Sequence, residues 1–224
     1  MSANALATAV IAAAGSGDRL GAGGPKALAE VSGKPLMAWS VAAVDASERV
    51  GSVVICAPPG HEEAVHSHAG DAAVVTGGAS RSESVALALA AVESEIVVVH
   101  DAARPLATPA LFDAVIAELE GDSGCDAVVA AAPVTDTLKR ALAGRVIETV
   151  PRSELWAVQT PQAFRSEALR QALDTDAETL AAATDDASLI EAAGGVVRVF
   201  GWDEPNLKIT TRVDLALAEA LLSA

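Results

Sequence analysis

The sequence predicts an α/β fold in which a mostly parallel β-sheet is covered by helices on both faces. Short runs rich in valine, isoleucine and alanine recur along the chain, and most of them are apolar throughout. Strands that are apolar on both sides are typical of a parallel sheet buried between two layers of helices. Stretches of helical length separate these runs, and such alternation favours the same architecture.

The predicted elements alternate from the N-terminus onwards. Strands are predicted at 7–14, 52–57, 72–76, 95–100, 126–132 and 196–200. Helices are predicted at 35–47, 61–69, 80–93, 108–120, 185–194 and 211–224.

Some helix ends carry recognisable signals. Thr108 followed by a proline predicts an N-cap and a first helical position. Thr184 precedes two acids, Asp185 and Asp186, which favour a first turn because the helix dipole is positive there. Gly194 is typical of a residue that ends a helix.

Residues 134–153 interrupt the alternation because they lack a helical period. The segments TLKRA and RVIET flank LAG, a pattern that predicts a β-hairpin with a short glycine-containing turn. A two-stranded arm is marginally stable by itself, so we expect this one to pack on a second subunit. The alternative is a surface hairpin without a partner.

Composition limits the function classes. The chain has 224 residues with 15 Lys plus Arg and 30 Asp plus Glu, a formal net charge of −15. This length suits one domain, residues 1–224. The acidic balance argues against binding to a nucleic-acid backbone, and 3% aromatic residues leave few stacking platforms for single strands. A local cluster of cations on an acidic protein can still bind an anionic small molecule.

Cysteines and apolar runs bear on the cellular compartment. Cys56 and Cys125 lie in apolar runs, and we expect both to be buried free thiols. No basic segment precedes the first apolar run, so no signal peptide is predicted. No uncharged apolar run reaches the roughly 18 residues that span a membrane. We therefore expect a cytoplasmic protein.

The first predicted strand leads into a glycine-rich loop within residues 12–28, AAAGSGDRLGAGGPKAL. It is not a Walker loop, because Ala27 follows Lys26 where a magnesium-binding hydroxyl is required. Its glycines have the spacing GxGxxxG, one residue too long for a dinucleotide fingerprint. A third interpretation is a loop whose backbone N–H groups surround a triphosphate while Arg19 and Lys26 bind its charge. The alternative is a flexible surface loop.

The segment HDAARP at 100–105 directly follows a predicted strand. Ligands of open α/β sheets bind at the carboxyl ends of strands. Asp101 would there suit a divalent cation that bridges phosphates, and Arg104 would suit a substrate phosphate or carboxyl group. A helix cap is the alternative for Asp101. His100 is expected to orient the loop, and the histidines His61, His66 and His68 to lie on a helix surface.

Six of the 15 cations lie beside a predicted strand end or the predicted arm. Any one of them alone is more often a solvated surface charge, but together they predict a positive pocket. They are Arg19, Lys26, Arg81, Arg104, Arg152 and Lys208.

Six motifs in order make the chain resemble the 2-C-methyl-D-erythritol 4-phosphate cytidylyltransferase family of the non-mevalonate isoprenoid pathway, over its whole length. They are AAAGSGDRLGAGGPKAL at 12–28, GGASRSESV at 77–85, HDAARPL at 100–106, TVPRSELWAVQTPQAF at 149–164, TDDASLIE at 184–191 and NLKITTRVDLALAE at 206–219. Two positions depart from the family pattern: Ala12 stands where proline is frequent, and Ala79 stands where an acid is frequent.

The resemblance implies a three-layer, Rossmann-like nucleotidyltransferase fold with a twisted, mostly parallel sheet and an arm, residues 134–153, that crosses to the partner of a homodimer. It implies transfer of a cytidylyl group from CTP to 2-C-methyl-D-erythritol 4-phosphate with Mg²⁺ or another divalent cation. Because the chain ends just after the last predicted helix, we expect no second catalytic domain.

The resemblance also implies roles for individual residues. The residues expected to act in catalysis are Arg19, Lys26, Arg152 and Lys208. Those expected to bind the nucleotide are Ala13, Ala14, Gly15, Gly17, Gly78, Arg81 and Ser84. Those expected to bind the sugar phosphate are Asp101, Arg104, Thr137, Arg152, Thr184 and Lys208, with Thr137 and Arg152 supplied by the partner. Asp101 is also expected to contact the metal.

Two other functions stay open. A related cytidylyltransferase acts on ribitol 5-phosphate, but it typically varies the AAG, HDAARP and TDDAS motifs that stand intact here. A non-catalytic sugar-nucleotide-binding module of the same fold is disfavoured because Lys26, Asp101, Arg152 and Lys208 are all retained.

Overall fold

The computed structural model describes residues 6–15, 17, 20 and 24–223. Its strands are β1 (Ala7–Ala12), β2 (Glu30–Val31), β3 (Lys34–Pro35), β4 (Val50–Ala57), β5 (Ala73–Thr76), β6 (Ile96–Asp101), β7 (Ala127–Pro133), β8 (Leu138–Leu142), β9 (Arg145–Val150), β10 (Trp156–Arg165) and β11 (Val197–Gly201). Its helices are α1 (Leu36–Asp45), α2 (Glu62–His66), α3 (Arg81–Ala88), α4 (Pro109–Gly121), α5 (Ser166–Leu173), α6 (Ala177–Ala182), α7 (Asp186–Ala192) and α8 (Arg212–Leu222).

Seven strands form the central sheet in the order β11-β7-β10-β6-β1-β4-β5. Every neighbouring pair is parallel except the two that β10 makes with β6 and β7. The six predicted strands are confirmed, each within two residues of its expected limits, and the prediction of a mostly parallel sheet is confirmed with them.

Strand β10 was not predicted, although it lies in the middle of the sheet. Its sequence, WAVQTPQAFR, begins with three exposed residues and contains a proline, which has no N–H to donate to a neighbouring strand. The structure accommodates Pro161 where the pairing with β7 shifts register, between Val158 and Gln162. The strand therefore has neither the apolar run nor the regular alternation that marks the other six.

Helices cover both faces of the sheet and create two apolar cores. On one face, Ile11 and Val98 pack with residues of α1, α2 and α4. On the other face, Val10 and Val97 pack with residues of α3, α5, α6 and α7. Because successive strand residues point to opposite faces, strands flanked by helices on both sides must be apolar at every position, which is the pattern the sequence shows.

The helix limits differ from the prediction in several places. The stretch 61–69 is helical only over Glu62–His66, and 80–93 ends at Ala88 with a 3₁₀ turn after it. Helices α5 and α6 were not predicted. The three histidines expected on a helix surface are all exposed, but only His66 lies within α2.

Thr108 is the N-cap of α4, as expected. Asp186 lies in the first turn of α7, as expected, whereas Asp185 is the N-cap and accepts a hydrogen bond from the Ser188 N–H at 3.0 Å. Gly194 directly follows the C-cap Ala193 with φ 84°.

The predicted hairpin is formed by β8 and β9, which pair with each other and not with the central sheet. Ala143 and Gly144 connect the strands with positive φ angles of 46° and 78°, as in a two-residue type I′ turn. The side chains of both strands are exposed almost throughout, including Leu142 (72%) and Ile147 (61%). Nothing within one described chain covers this apolar surface.

Two further expectations concern sulfur and membranes. Cys56 and Cys125 are free and buried, as predicted. None of the helices in the described part of the chain has the length and apolar character that crossing a bilayer requires.

Candidate active site

The carboxyl ends of the parallel strands meet at one edge of the sheet, where they line a cavity of about 600 Å³. The last residues of β1 and β6, Ala12 and Asp101, are register partners, so the loops that follow them begin side by side. The loop between β5 and α3 and the segment before α8 complete the wall. Ten of the predicted residues line this cavity: Ala13, Ala14, Gly15, Gly17, Lys26, Gly78, Arg81, Ser84, Asp101 and Lys208.

A second cavity of about 190 Å³ adjoins the first. Three side chains, those of Arg81, Asp101 and Lys208, line both cavities and so form their common wall. Arg104 and Thr184 line only the second one. Of the predicted sugar-phosphate residues, Arg104 and Thr184 are therefore apart from the nucleotide residues, whereas Asp101 and Lys208 border both cavities.

The glycine loop is described only in part, and the predicted residue Arg19 lies outside the described residues. Lys26 opens a short 3₁₀ turn directly after Pro25. Gly17 has φ 78°, and a Cβ atom at this position would lie 2.7 Å from Cβ of Lys26. Only glycine tolerates both that backbone conformation and that contact, so Gly17 permits the close packing of the loop against Lys26.

Four charged side chains form a row of alternating sign that runs from the buried Asp186 into the cavity wall. Asp186 Oδ2 lies 2.5 Å from Arg81 Nη1, and Arg81 Nε lies 2.9 Å from Asp101 Oδ1. Lys208 Nζ then lies 2.6 Å from the other oxygen of Asp101. The row connects α7, α3, β6 and the segment before α8, so it ties together the elements that shape both cavities.

The charges in this row stabilise one another. Burial favours the neutral acid of Asp101, but the cations of Arg81 and Lys208 outweigh burial and hold its pKa well below the usual range. Burial likewise disfavours the charged guanidinium of Arg81, yet Asp186 and Asp101 raise its pKa above the ordinary value. Both groups are therefore ionised near neutral pH.

His100 orients the loop after β6, as expected. Its ring is fully buried, which together with the cations nearby lowers its pKa to about 4, so the imidazole is neutral. Nε2 lies 3.3 Å from the carbonyl oxygen of Arg104, which can only accept, so Nε2 carries the proton. Nδ1 then accepts from the Thr160 hydroxyl at 3.2 Å, and that hydroxyl accepts the Asp101 N–H at 2.9 Å.

Arg104 is a buried cation without a carboxylate partner among the described residues. Its Nη1 donates to the carbonyl oxygen of Asn206 at 2.7 Å, and burial, with Arg81 nearby, lowers its pKa. Arg104 Nε, Arg81 Nη2 and the Gln162 side-chain oxygen are buried with no hydrogen-bond partner in the described protein. Unsatisfied polar groups of this kind are rare in protein interiors and are typical of a site that binds a polar ligand.

The two predicted residues on or beside the arm are not brought to this site in a single chain. Thr137 and Arg152 line neither cavity. Arg152 instead donates a hydrogen bond from Nη1 to the carbonyl oxygen of Thr135 within the arm.

Several residues that build the site were not assigned a role from the sequence. Asp186 was predicted only as an acid in a first helical turn, yet it pairs with Arg81, 105 positions away. Thr160, Gln162 and Asn206 lie in motifs that carry the resemblance, and each is buried and polar. That pattern could have suggested their contact with the site, but not their partners.

The described residues do not fit a resident metal ion. No group of three or more His, Cys, Asp or Glu side chains converges in the described part of the chain. Both oxygens of Asp101 already accept hydrogen bonds from cationic groups. The helix-cap alternative for Asp101 is wrong, because the next helix begins after Thr108.

Comparison with known proteins agrees with the geometry. The model of the family IspD, 2-C-methyl-D-erythritol 4-phosphate cytidylyltransferase, matches residues 7–224. The enzyme of that name from Saccharopolyspora erythraea is 44% identical over 225 residues, covering 96% of this chain and 98% of the relative. The one from Frankia casuarinae is also 44% identical, over 219 residues, covering 96% of this chain and 80% of the relative.

Solved structures show the same fold. The crystal structure of the Thermus thermophilus enzyme superposes with a TM-score of 0.79 at 33% identity, covering 98% of this chain and 100% of that one. The crystal structure of 4-diphosphocytidyl-2C-methyl-D-erythritol synthase from Anaerococcus prevotii gives a TM-score of 0.83 at 28% identity, covering 99% of this chain and 100% of that one. The chain therefore belongs to the 2-C-methyl-D-erythritol 4-phosphate cytidylyltransferase family.

Proposed function

We propose that this chain transfers the cytidylyl group of CTP to 2-C-methyl-D-erythritol 4-phosphate. A phosphate oxygen of the sugar phosphate attacks the α-phosphorus of CTP, and the bond from that phosphorus to the bridging oxygen of the β-phosphate breaks. The products are 4-diphosphocytidyl-2-C-methyl-D-erythritol and pyrophosphate. The observation that carries the proposal is the pair of adjoining cavities whose common wall contains Arg81, Asp101 and Lys208.

The larger cavity would hold CTP. Its volume suits a nucleoside triphosphate, and small residues line much of it, so that a base and ribose can approach the backbone. Lys26 lines the cavity, and we assign it, with Arg19, to the phosphates and to the charge that develops on them in the transition state. The nucleotide itself would contact Ala13, Ala14, Gly15, Gly17, Gly78, Arg81 and Ser84.

The smaller cavity would hold the sugar phosphate. Arg104, Thr184 and Lys208 line it, and Lys208 would guide the attacking phosphate toward the larger cavity because it borders both. Asp101 would accept hydrogen bonds from the substrate hydroxyls. In-line attack requires the two reactants to lie end to end, which adjoining cavities permit.

The reaction needs cations more than it needs a general base. A phosphate monoester is already an anionic nucleophile near neutral pH, so no side chain must remove a proton from it. The histidine and the cysteine nearest to the site are both unsuited to acid–base or covalent catalysis. His100 is held neutral by its buried contacts, and burial raises the pKa of Cys56 to about 12. Repulsion between two anionic reactants is instead reduced by lysine and arginine side chains.

Mg²⁺ would enter as part of the substrate, bound to the triphosphate of CTP. Magnesium is generally held by substrate phosphates with one or two carboxylates and several waters, not by an all-protein cage. Asp101 is the carboxylate that would lie nearest to it.

The arm would complete the site of a partner chain in a homodimer. Thr137 and Arg152 line neither cavity of their own chain, and the arm exposes apolar side chains. We assign Thr137 and Arg152 to the sugar phosphate bound by the partner. Because CTP is an intracellular nucleotide, we place the reaction in the cytoplasm.

The test is release of pyrophosphate from CTP and Mg²⁺, measured in parallel with 2-C-methyl-D-erythritol 4-phosphate and ribitol 5-phosphate. Release with the first compound only is expected. Release with ribitol 5-phosphate only would support cytidylyl transfer but would show that the proposed sugar-phosphate substrate is wrong. No release with either compound would favour a non-catalytic binding protein.

A further inference from the structure

Residues 78–80, in the loop between β5 and α3, form one wall of the larger cavity. We propose that Glu83 is the positioning residue of this wall, and that it thereby favours cytidine over uridine triphosphate. This inference rests on the proposed function. Glu83 is half-buried in the first turn of α3 and is not among the residues that line the cavity. Its carboxylate oxygen Oε2 accepts the N–H of Ala79 at 2.6 Å.

The backbone N–H groups of residues 77–79 are all engaged within the protein. Gly77 N–H donates to the carbonyl oxygen of Ala57 at 2.8 Å, and Gly78 N–H donates to Ser84 Oγ at 3.0 Å. The third donor is the N–H of Ala79, which Glu83 accepts. A ligand that contacts the backbone of residues 77–79 therefore meets acceptors, the carbonyl oxygens, and no free amide hydrogens.

Glu83 also joins the loop to the helix in the reverse direction. Its own N–H donates to the side chain of Ser80, the N-cap of α3, at 3.1 Å. The pattern is a capping box in which the glutamate reaches one residue beyond the N-cap, to Ala79. Two hydrogen bonds of opposite direction therefore fix residues 79 and 80 relative to the helix.

A backbone segment whose N–H groups are all engaged offers a base only acceptors, and such a segment discriminates between pyrimidines. Cytosine carries an exocyclic amino group, which donates hydrogen bonds. Uracil carries a carbonyl oxygen at the same ring position, and two acceptors facing each other repel. If the Glu83 carboxylate is removed, the Ala79 N–H becomes a free donor, and a free donor would suit the uracil oxygen. Glu83 would thus influence base selection without contacting the base.

Gly78 gives a second, independent way to disturb this contact. A Cβ atom at Gly78 would lie 2.5 Å from Cγ and 2.8 Å from Oε2 of Glu83. Alanine at this position must therefore displace the Glu83 side chain. Removing the Glu83 side chain at the same time removes the clash.

The experiment is steady-state kinetics with CTP and UTP for four variants: Glu83→Ala, Glu83→Gln, Gly78→Ala and the double variant Gly78→Ala/Glu83→Ala. We expect Glu83→Ala to raise the KM for CTP about tenfold and to lower the ratio of kcat/KM for CTP over UTP by a similar factor. The KM for the sugar phosphate should change less than about twofold. Glu83→Gln, which keeps an acceptor oxygen, should retain most of the selectivity.

Two comparisons separate positioning from general destabilisation. Gly78→Ala should change the KM for CTP and the CTP-to-UTP ratio of kcat/KM in the same direction as Glu83→Ala. The double variant should lose less selectivity than the two single variants combined, because both substitutions disturb the same contact between Glu83 and Ala79. Glu167→Ala is the matched control: Glu167 also lies in the first turn of a helix, α5, and accepts from the Gln171 side chain at 2.9 Å. Glu167→Ala should leave the KM for CTP and the CTP-to-UTP ratio of kcat/KM unchanged.

An unchanged KM for CTP and an unchanged CTP-to-UTP ratio in a folded Glu83→Ala protein would overturn the inference, as would full additivity in the double variant. If Glu83→Ala does not fold, Glu83→Asp, which keeps the charge but shortens the reach, is judged by the same ratio. Failure of the proposed function is distinguishable, because the wild-type chain would then release no pyrophosphate from CTP in the presence of 2-C-methyl-D-erythritol 4-phosphate.

Discussion

The side-chain nitrogen of Lys208 lies 2.6 Å from Oδ2 of Asp101, and both residues line both cavities. The carboxylate is nearly buried, whereas 41% of the Lys208 side chain is exposed. Arg81 holds the other oxygen of the same carboxylate. The ammonium of Lys208 is therefore oriented before any substrate arrives, so that less reorganisation is required when an anion binds.

Replacing Asp101 by Asn should weaken that orientation. The variant keeps the size of the side chain but removes the charge that two cations share. We expect kcat/KM for the sugar phosphate to fall at least tenfold, because hydrogen bonds to charged groups contribute about 1.5–3 kcal/mol each. Pyrophosphate release at varied sugar phosphate concentration measures this. Asp113→Asn, which removes the charge of a carboxylate that accepts from the Ser47 hydroxyl and the Arg49 N–H outside the site, is the control.

Asp186→Asn should chiefly lower stability. Asp186 is fully buried and accepts from Arg81 and Ser82, so its loss leaves Arg81 with one carboxylate partner instead of two. We expect the free energy of unfolding to fall by about 3 kcal/mol. Urea denaturation followed by circular dichroism gives the value. A loss below about 0.5 kcal/mol would show that the Arg81–Asp186 ion pair does not stabilise the fold.

His100 should make stability depend on pH below neutrality. Its pKa is about 4 in the folded chain, against about 6.5 for an unperturbed histidine. Between these values the unfolded chain binds the extra proton, so stability rises with pH by about 1.4 kcal/mol per pH unit from this group. The difference in unfolding free energy between wild type and His100→Gln, measured at pH 4.5, 5.5 and 7.5, should show that slope. A difference independent of pH would contradict the buried neutral imidazole.

Lys26→Ala should lower kcat by a factor of about 10² or more while the protein still folds. The same result is expected for Arg19→Ala, since both cations are assigned to the phosphates of CTP in the transition state. Single-turnover release of pyrophosphate measures the chemical step, and thermal denaturation checks the fold. A normal turnover number in either variant would remove that residue from the catalytic set.

Mixing two inactive variants should restore activity if the arm acts on the partner. Lys26→Ala chains have an intact arm, and Arg152→Ala chains have an intact nucleotide cavity. A heterodimer of the two contains one complete site, so random mixing should give about one quarter of wild-type activity. Refolding the two variants together and separately supplies the comparison. Lack of restoration in a mixture shown to contain heterodimers would mean that Arg152 acts within its own chain.

The sequence alone was enough to predict most of the fold. Apolar runs flanked by helical stretches identified six of the seven central strands and the direction in which they run, because burial on both faces leaves a continuous apolar signal. The turn of the hairpin was also predictable from local sequence, because a glycine lies between two segments without a helical period. Strand β10 was not, since Pro161 and its exposed first half conceal a position in the middle of the sheet.

The sequence by itself also determined which residue types the site contains, since Lys26, Asp101, Arg104 and Lys208 stand in short motifs that can be recognised along the chain. Only the tertiary structure decided how they are paired. Asp186 and Arg81 are separated by 105 positions, and Lys208 meets Asp101 only because the segment before α8 returns to the end of β6. Such contacts depend on how distant elements pack, which no local pattern of residues encodes.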